Sequence, residues 1–182
     1  ELERRANRRR VLHISRLTLK YAAVFALLFS TWFLSEKYTL EKHRDEAIWI
    51  EAPQGQRVYL TLADGTEAWL SSRTKIKVPN QFNNKERVVE LDGEGFFAVK
   101  KDVKRPFIVK TKQYNVQVLG TQFNVFAYST STDFETDLLK GSVYVYHRDD
   151  KESGLYLKPD EKVFLKDGTL LKSASNFKQS KY

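Results

Sequence analysis

From Ile48 onward the chain changes sides at almost every residue, in runs of four to six cut apart by turn dipeptides. A period of two puts alternate side chains on opposite faces of an extended strand, and a helix cannot gather such positions onto one stripe. In RVYLTL, Val58, Leu60 and Leu62 share one face, while Arg57, Tyr59 and Thr61 share the other. TKIKV repeats the pattern with Ile76 and Val78 against Lys75 and Lys77. EAWL, RVVEL, GFFAV, FIVKT, YNVQVL, FNVFAY, FETDLL, SVYVYH, GLYL and KVFL follow. Asp64-Gly65, Asp92-Gly93 and Asp167-Gly168 read as tight turns between such runs. No long helical period interrupts the series. The pattern predicts an all-β domain over residues 48–172, either an elongated β-sandwich or an irregular β-solenoid. Residues 173–182, polar and without period, read as a linker tail.

The segment before the strands has a different character. Tyr21 to Leu34 carries no charge, and Leu17 to Leu34 carries one, Lys20. At about 1.5 Å per residue, residues 17–34 as a helix would be roughly 27 Å long, close to the thickness of the hydrocarbon layer. Lys20 can snorkel, and Tyr21, Trp32 and Tyr38 stand where interfacial aromatics belong. The alternative of a buried helix in a soluble protein would need neighbours to cover it all round, because the run has no polar face of its own. No small-residue cleavage triplet follows it, which argues against a removed export signal.

The net charge of +8 is concentrated ahead of this run. Residues 1–20 hold seven Lys/Arg against two acids, with Arg8, Arg9, Arg10, Arg16 and Lys20 nearest the apolar stretch. The rest of the chain is almost balanced. Positive charge flanking a span marks the cytoplasmic side. The expected layout is a basic cytoplasmic segment (1–16), a transmembrane helix (17–34), a charged connector (35–47) and the β domain outside the cytoplasm. The basic cluster is read as a topology signal that also meets the lipid bilayer, not as a direct nucleic-acid site.

Little in the sequence points to bond chemistry. There is no cysteine, so disulfides and thiolate metal sites are excluded. His13, His43 and His147 have no common metal spacing. Glu90, Asp92 and Glu94 alternate as a carboxylate set could, but the Asp92-Gly93 turn would split their common face. No catalytic, cofactor-binding or metal-ligating residue is assigned. Several strands are apolar on both faces: Val143 and Val145 oppose Tyr144 and Tyr146, and Phe123, Val125 and Ala127 oppose Phe126 and Tyr128. Either both faces are covered within the domain, or the aromatics Phe126, Tyr128, Tyr144 and Tyr146 form a docking face.

Three ordered motifs carry a family resemblance: L-x-D-G-T-x-x-W-L at 62–70, V-x-L-x-G-E-x-x-F at 89–97 and V-x-V-L-G-T-x-F-N-V at 116–125. With LLKGSVYVY and LKPDEKVFL, the chain from about 50 to 170 resembles the FecR-type anti-sigma regulators, particularly the variant common in Bacteroidetes. The resemblance implies an inner-membrane, single-span regulator with its N-terminus in the cytoplasm and its β domain in the periplasm. Its implied partners are an extracytoplasmic-function (ECF) sigma factor and the signalling domain of an outer-membrane TonB-dependent transporter. Those contacts are expected mainly through an N-terminal sigma-binding domain and a small C-terminal domain. The resemblance also implies that Asp64-Gly65, Gly93, Gly120 and Gly141 are turn positions. Trp69, Leu70, Phe97, Phe123 and Val125 are implied core positions. Asp160 stands where the family usually has glycine after proline. No catalytic role and no cofactor are implied. A different reading is a membrane-tethered carbohydrate- or polymer-binding β domain without a signalling role; an enzyme reading would require two carboxylates facing each other across a cleft.

Overall fold

The computed structural model describes residues 25–33 and 47–177, which belong to two compact units, Glu1–His43 and Arg44–Tyr182. In the first unit, residues 25–33 form a helix, α1, with exposed side chains. Thr31 donates its hydroxyl to the Leu27 and Leu28 carbonyls, and Trp32 rests beside Phe29 at 5.9 Å. Among the described residues, no helix is long and apolar enough to cross a membrane. The ends of the expected 17–34 span, together with Arg8, Arg9, Arg10, Arg16 and Lys20, lie outside the described residues.

The second unit is all-β, with strands β1 (Ala47–Glu51), β2 (Val58–Thr61), β3 (Glu67–Leu70), β4 (Lys75–Pro79), β5 (Arg87–Ala98), β6 (Phe107–Lys110), β7 (Tyr114–Val118), β8 (Gln122–Ala127), β9 (Glu135–Lys140), β10 (Val143–His147), β11 (Asp150–Leu157), β12 (Glu161–Lys166) and β13 (Thr169–Ala174). The expected sandwich or solenoid takes another form. All the strands belong to one hydrogen-bonded network, a curled half-barrel, because β5 serves two halves. Its first part, through Asp92, lies between β4 and β6 in sheet A, ordered β1-β4-β5-β6-β7-β10-β11. Its second part lies between β3 and β8 in sheet B, ordered β2-β3-β5-β8-β9-β12-β13.

The bend in β5 corrects the Asp92-Gly93 reading. The chain does not reverse there; it continues as a strand and changes sheet. Gly93 has φ of 137°, and a Cβ at that position would lie 2.4 Å from Thr74 Oγ1. Only glycine takes that backbone freely and leaves room for Thr74, whose hydroxyl receives the Glu94 N–H and donates to the Glu94 carbonyl. Once β5 has left sheet A, residues 99–106 carry the chain back, so that β6 lies parallel to the first part of β5.

The other turn signals mark connections. Asp167-Gly168 is a two-residue hairpin with both φ values positive, 50° and 76°, and Lys166 pairs with Thr169 across it. Asp64-Gly65 joins β2 to β3, and Gly120 and Gly141 lie between β7 and β8 and between β9 and β10. Asp160 adopts a φ of 64°, the left-handed conformation that the resemblance implies for this position.

The core lies between the inward faces of the two halves. Phe97 of sheet B packs on Phe123 at 5.5 Å and on Phe107 of sheet A at 6.1 Å, and all three are fully buried. Val89, Val109, Val116, Val143 and Val145 complete the sheet A side. Burial of each such side chain contributes about 1.5–3 kcal/mol before conformational entropy is charged against it.

Candidate docking surfaces

The inward set above leaves the other parity of each strand facing outward. On sheet A, ladder register lines up Trp49, Lys77, Glu90, Lys110, Asn115 and Tyr146 across six neighbouring strands. Trp49 is exposed, with the Lys77 ammonium 5.8 Å from its ring. Lys77 also reaches Glu90 at 3.4 Å. Beside this row a cavity of about 490 Å³ is lined by Trp49, Glu90, Asp92, Lys110, Asn115 and Arg148, among others.

The next row is aromatic at its far end. Tyr144 faces Gln117 of β7 on one side and Tyr156 of β11 on the other, with the two tyrosine rings 4.4 Å apart. Tyr146 stacks on Tyr144 at 5.4 Å and lies under the Lys151 ammonium at 5.6 Å. Tyr146 is buried, and that desolvation raises its phenol pKa above the usual value; a hydrogen bond with Asn115 works against the rise. Tyr144 covers Gly154, where any Cβ would run into the ring, and its hydroxyl accepts the Gly154 N–H while donating to the Lys151 carbonyl. Tyr156 is left 68% exposed.

Tyr144 and Tyr146 therefore act as a pair, but the other two expected docking residues lie elsewhere. Phe126 and Tyr128 meet each other at 5.1 Å from β8 and its exit, in sheet B. The Tyr128 hydroxyl donates to the Ser72 carbonyl at 2.9 Å, tying that exit to the turn after β3. The four aromatics form two separate pairs, not one face.

Sheet B has its own outward aromatic line. Tyr59 meets Trp69 at 5.1 Å, Trp69 meets Phe96 at 5.5 Å, and Phe177 stacks on Phe96 at 6.1 Å. Trp69 is thus not the core residue expected: it is half-buried on the outer face, whereas Leu70, Phe97, Phe123 and Val125 are fully buried. The segment after β13 crosses this face. Ser175 donates its backbone N–H to the Asp160 carbonyl and its hydroxyl to Asp137 Oδ1 at 2.5 Å. Burial pushes the Asp137 carboxyl up to about 6; the Ser175 hydrogen bond opposes this, and nearby Glu135 adds to it.

A buried ion pair escaped sequence reading. Arg87 is 1% exposed and pairs with Asp64 Oδ2 at 2.6 Å; its Nε and Nη1 also donate to the carbonyls of Arg105 and Lys100. Asp64 receives the backbone N–H and hydroxyl of Thr66. The Asp of the D-G-T motif therefore anchors the β2–β3 turn to the start of β5. Only the unusual occurrence of Arg at an inward-parity position hinted at this.

The acidic trio serves three separate partners. Glu90 meets Lys77, Asp92 accepts the N–H and hydroxyl of Ser129, and Glu94 receives the Asn124 amide. His147 lies edge-on to Tyr114 at 5.5 Å. Among the described residues, no cluster of His, Cys, Asp or Glu could hold a metal ion.

Comparison with known proteins adds a family and a fold. A family model described as FecR protein matches residues 49–153. Two crystal structures from Parabacteroides distasonis ATCC 8503, each described as that of a "putative anti-sigma factor", share 35% sequence identity with this chain. Their TM-scores are 0.67 and 0.66, and the matches cover 71% and 70% of this chain. The same matches cover 61% and 60% of the solved chains, so this chain spans about three fifths of their length. No curated protein matches.

Proposed function

We propose a function from one premise: the chain belongs to the FecR family and is a FecR-type anti-sigma factor. In this reading it is a single-pass inner-membrane protein, with residues 1–16 cytoplasmic, 17–34 in the bilayer and the β unit in the periplasm. It relays a binding state from the signalling domain of an outer-membrane TonB-dependent transporter to an extracytoplasmic-function sigma factor. Its output is a change in sigma activity, not a chemical product.

The observation that carries the reading is the match over residues 49–153 to a regulator family. Three features support the finer steps. The uncharged run Tyr21–Leu34 follows a basic flank, which fits a span with a cytoplasmic N-terminus. The outward aromatics on both half-sheets offer protein-contact surface of the composition interfaces favour. The continuous network through β5 joins both half-sheets in one hydrogen-bonded body, the connection a relay through this unit requires.

The test uses the protein in its own cell. Removing residues 47–177 should leave sigma-dependent transcription unresponsive to the inducing signal, whatever its basal level. Transcription that keeps its full response refutes the relay. Protease added to intact spheroplasts should digest the β unit and spare the basic amino end; protection of the β unit refutes the topology.

A further inference from the structure

Among the described residues, β1, β2, β11 and β13 each pair with one neighbour and leave their other edge open. An open edge offers unpaired N–H and C=O groups to any strand that reaches it, and charges along the strand normally guard against this. β11 carries Asp150, Lys151 and Glu152, and β13 carries Lys172. β2 exposes one large side chain, Tyr59, whose hydroxyl is bonded to Glu67. β1 has no such guard. Its one charge, Glu51, stands at its end and is already paired with Lys75 at 3.4 Å. Ile48 and Trp49, on opposite faces, are 52% and 62% exposed.

The ladder with β4 fixes which backbone groups of β1 are free. Just past the strand, the Ala52 N–H donates to the Thr74 carbonyl at 2.9 Å; at the other end, Ala47 lies opposite Pro79, which has no N–H to give. Bonded and non-bonded positions alternate along an antiparallel pair. Ile48 and Ile50 therefore bond to β4, while Ala47, Trp49 and Glu51 turn their N–H and C=O groups outward. Ile48 and Ile50 lie on the core side, opposite Val78 and Ile76, and Trp49 lies on the outer face opposite Lys77.

This edge is its own complement. Ile48-Trp49-Ile50 reads the same in both directions, so antiparallel pairing about Trp49 repeats its contacts under a two-fold rotation. Trp49 then faces Trp49 of the second copy, Ile48 faces Ile50, and Ala47 faces Glu51. Every outward N–H meets an outward carbonyl, each exposed Ile48 gains an apolar neighbour, and no like charges stand opposite each other. Another strand would satisfy the same backbone groups; the palindrome is what selects a second copy.

We propose that two copies of the chain associate through β1, edge to edge and antiparallel, with Trp49 on the two-fold axis, so that sheet A continues from one copy into the next. A single strand pair buries less than about 1,200 Å², so the association is weak and reversible. It goes beyond the relay and does not rest on it.

The chain has no cysteine, so introduced thiols report without background. In this register the Cα atoms of Ala47 and of Glu51 in the second copy lie about 5.5 Å apart, within disulfide range. Two copies of Ala47, or two of Glu51, are four residues apart along the ladder, about 14 Å. An equimolar mixture of full chains carrying Ala47→Cys and Glu51→Cys, oxidised in mild detergent, should give at least about five-fold more cross-linked dimer than either variant alone. Adding Trp49→Lys to both chains should abolish that product, because two ammonium groups then meet on the axis. Trp49→Lys in one chain and Trp49→Glu in the other should restore it, which separates lost pairing from lost folding. Equal cross-linking in the mixture and in the single variants would mean association through another part of the chain, such as the apolar run, and overturns the proposal. Absence of cross-linking in the mixture overturns it, and so does cross-linking that survives the paired lysines. Sigma-dependent transcription is not the readout, so either the pairing or the relay can fail without the other.

Discussion

Arg87 shows how a local motif can conceal its main partner. The D-G-T triplet reads as a turn because Asp and Gly are turn residues, and it is one. What the sequence cannot display is that a residue 23 positions later delivers a guanidinium to the same carboxylate. Both groups are buried, so removing either leaves an unpaired charge or an empty polar pocket. Asp64→Leu and Arg87→Met should each destabilise the β unit by about 3–5 kcal/mol, read from urea unfolding. The double variant should recover much of that loss, because it removes both desolvated charges. Additive losses would mean that the pair is not coupled. Trp69 teaches the complementary lesson: its parity within EAWL places it opposite the buried Ala68 and Leu70, and that alternation, not its motif position, sets its outward face.

At the scale of elements, the strands were legible and the path of β5 was not. Alternation marks each strand because one side chain in two must be buried, and the twelve runs read from residues fall in eleven of the strands, with RVVEL and GFFAV both in β5. Asp92-Gly93 misleads because the dipeptide that favours reversal also favours a bend, and only the packing of Thr74 against Gly93 decides between them. Gly93→Ala should therefore cost about 3 kcal/mol or more, since the added methyl strikes the Thr74 backbone as well as its side chain, and the residue must hold a φ that alanine avoids. An unfolding midpoint equal to that of the parent would refute the bend's dependence on glycine.

Strand β9 and the segment after β13 supply a second expectation, one of pH. Asp137 binds its proton more tightly in the folded chain than in an unfolded one, up to about 6 against the ordinary 3.8. The sign follows from linkage: this group's contribution to stability is fully present below about pH 4 and is lost as pH rises through 6. The upper bound is about 3 kcal/mol for a shift of this size, before the coupling to Glu135 is allowed for. Asp137→Asn removes the titrating group, so its stability relative to the parent should increase between pH 4 and pH 7. A difference that stays flat across that range, measured by urea titration, would contradict the assignment.

Across the whole β unit, the shared strand has a thermodynamic consequence. Two seven-stranded halves joined only by a linker could unfold separately, but here the halves share β5 as a central strand and Phe97, Phe107 and Phe123 interlock across the core. Opening sheet A exposes the face of sheet B that depends on it, so neither half has a core of its own. That continuity is the property a relay needs, and no sequence pattern announces it, because periodicity specifies faces but not which strand is held in common. Trp49 reports on sheet A and Trp69 on sheet B, which makes the claim measurable. Variants retaining only one of these two tryptophans, with Trp32 also replaced by Phe, should give urea midpoints that coincide with each other and with the loss of far-UV circular dichroism. A sheet A transition completed before Trp69 responds would divide the unit into two independent bodies and remove the physical basis for transmitting a signal through β5.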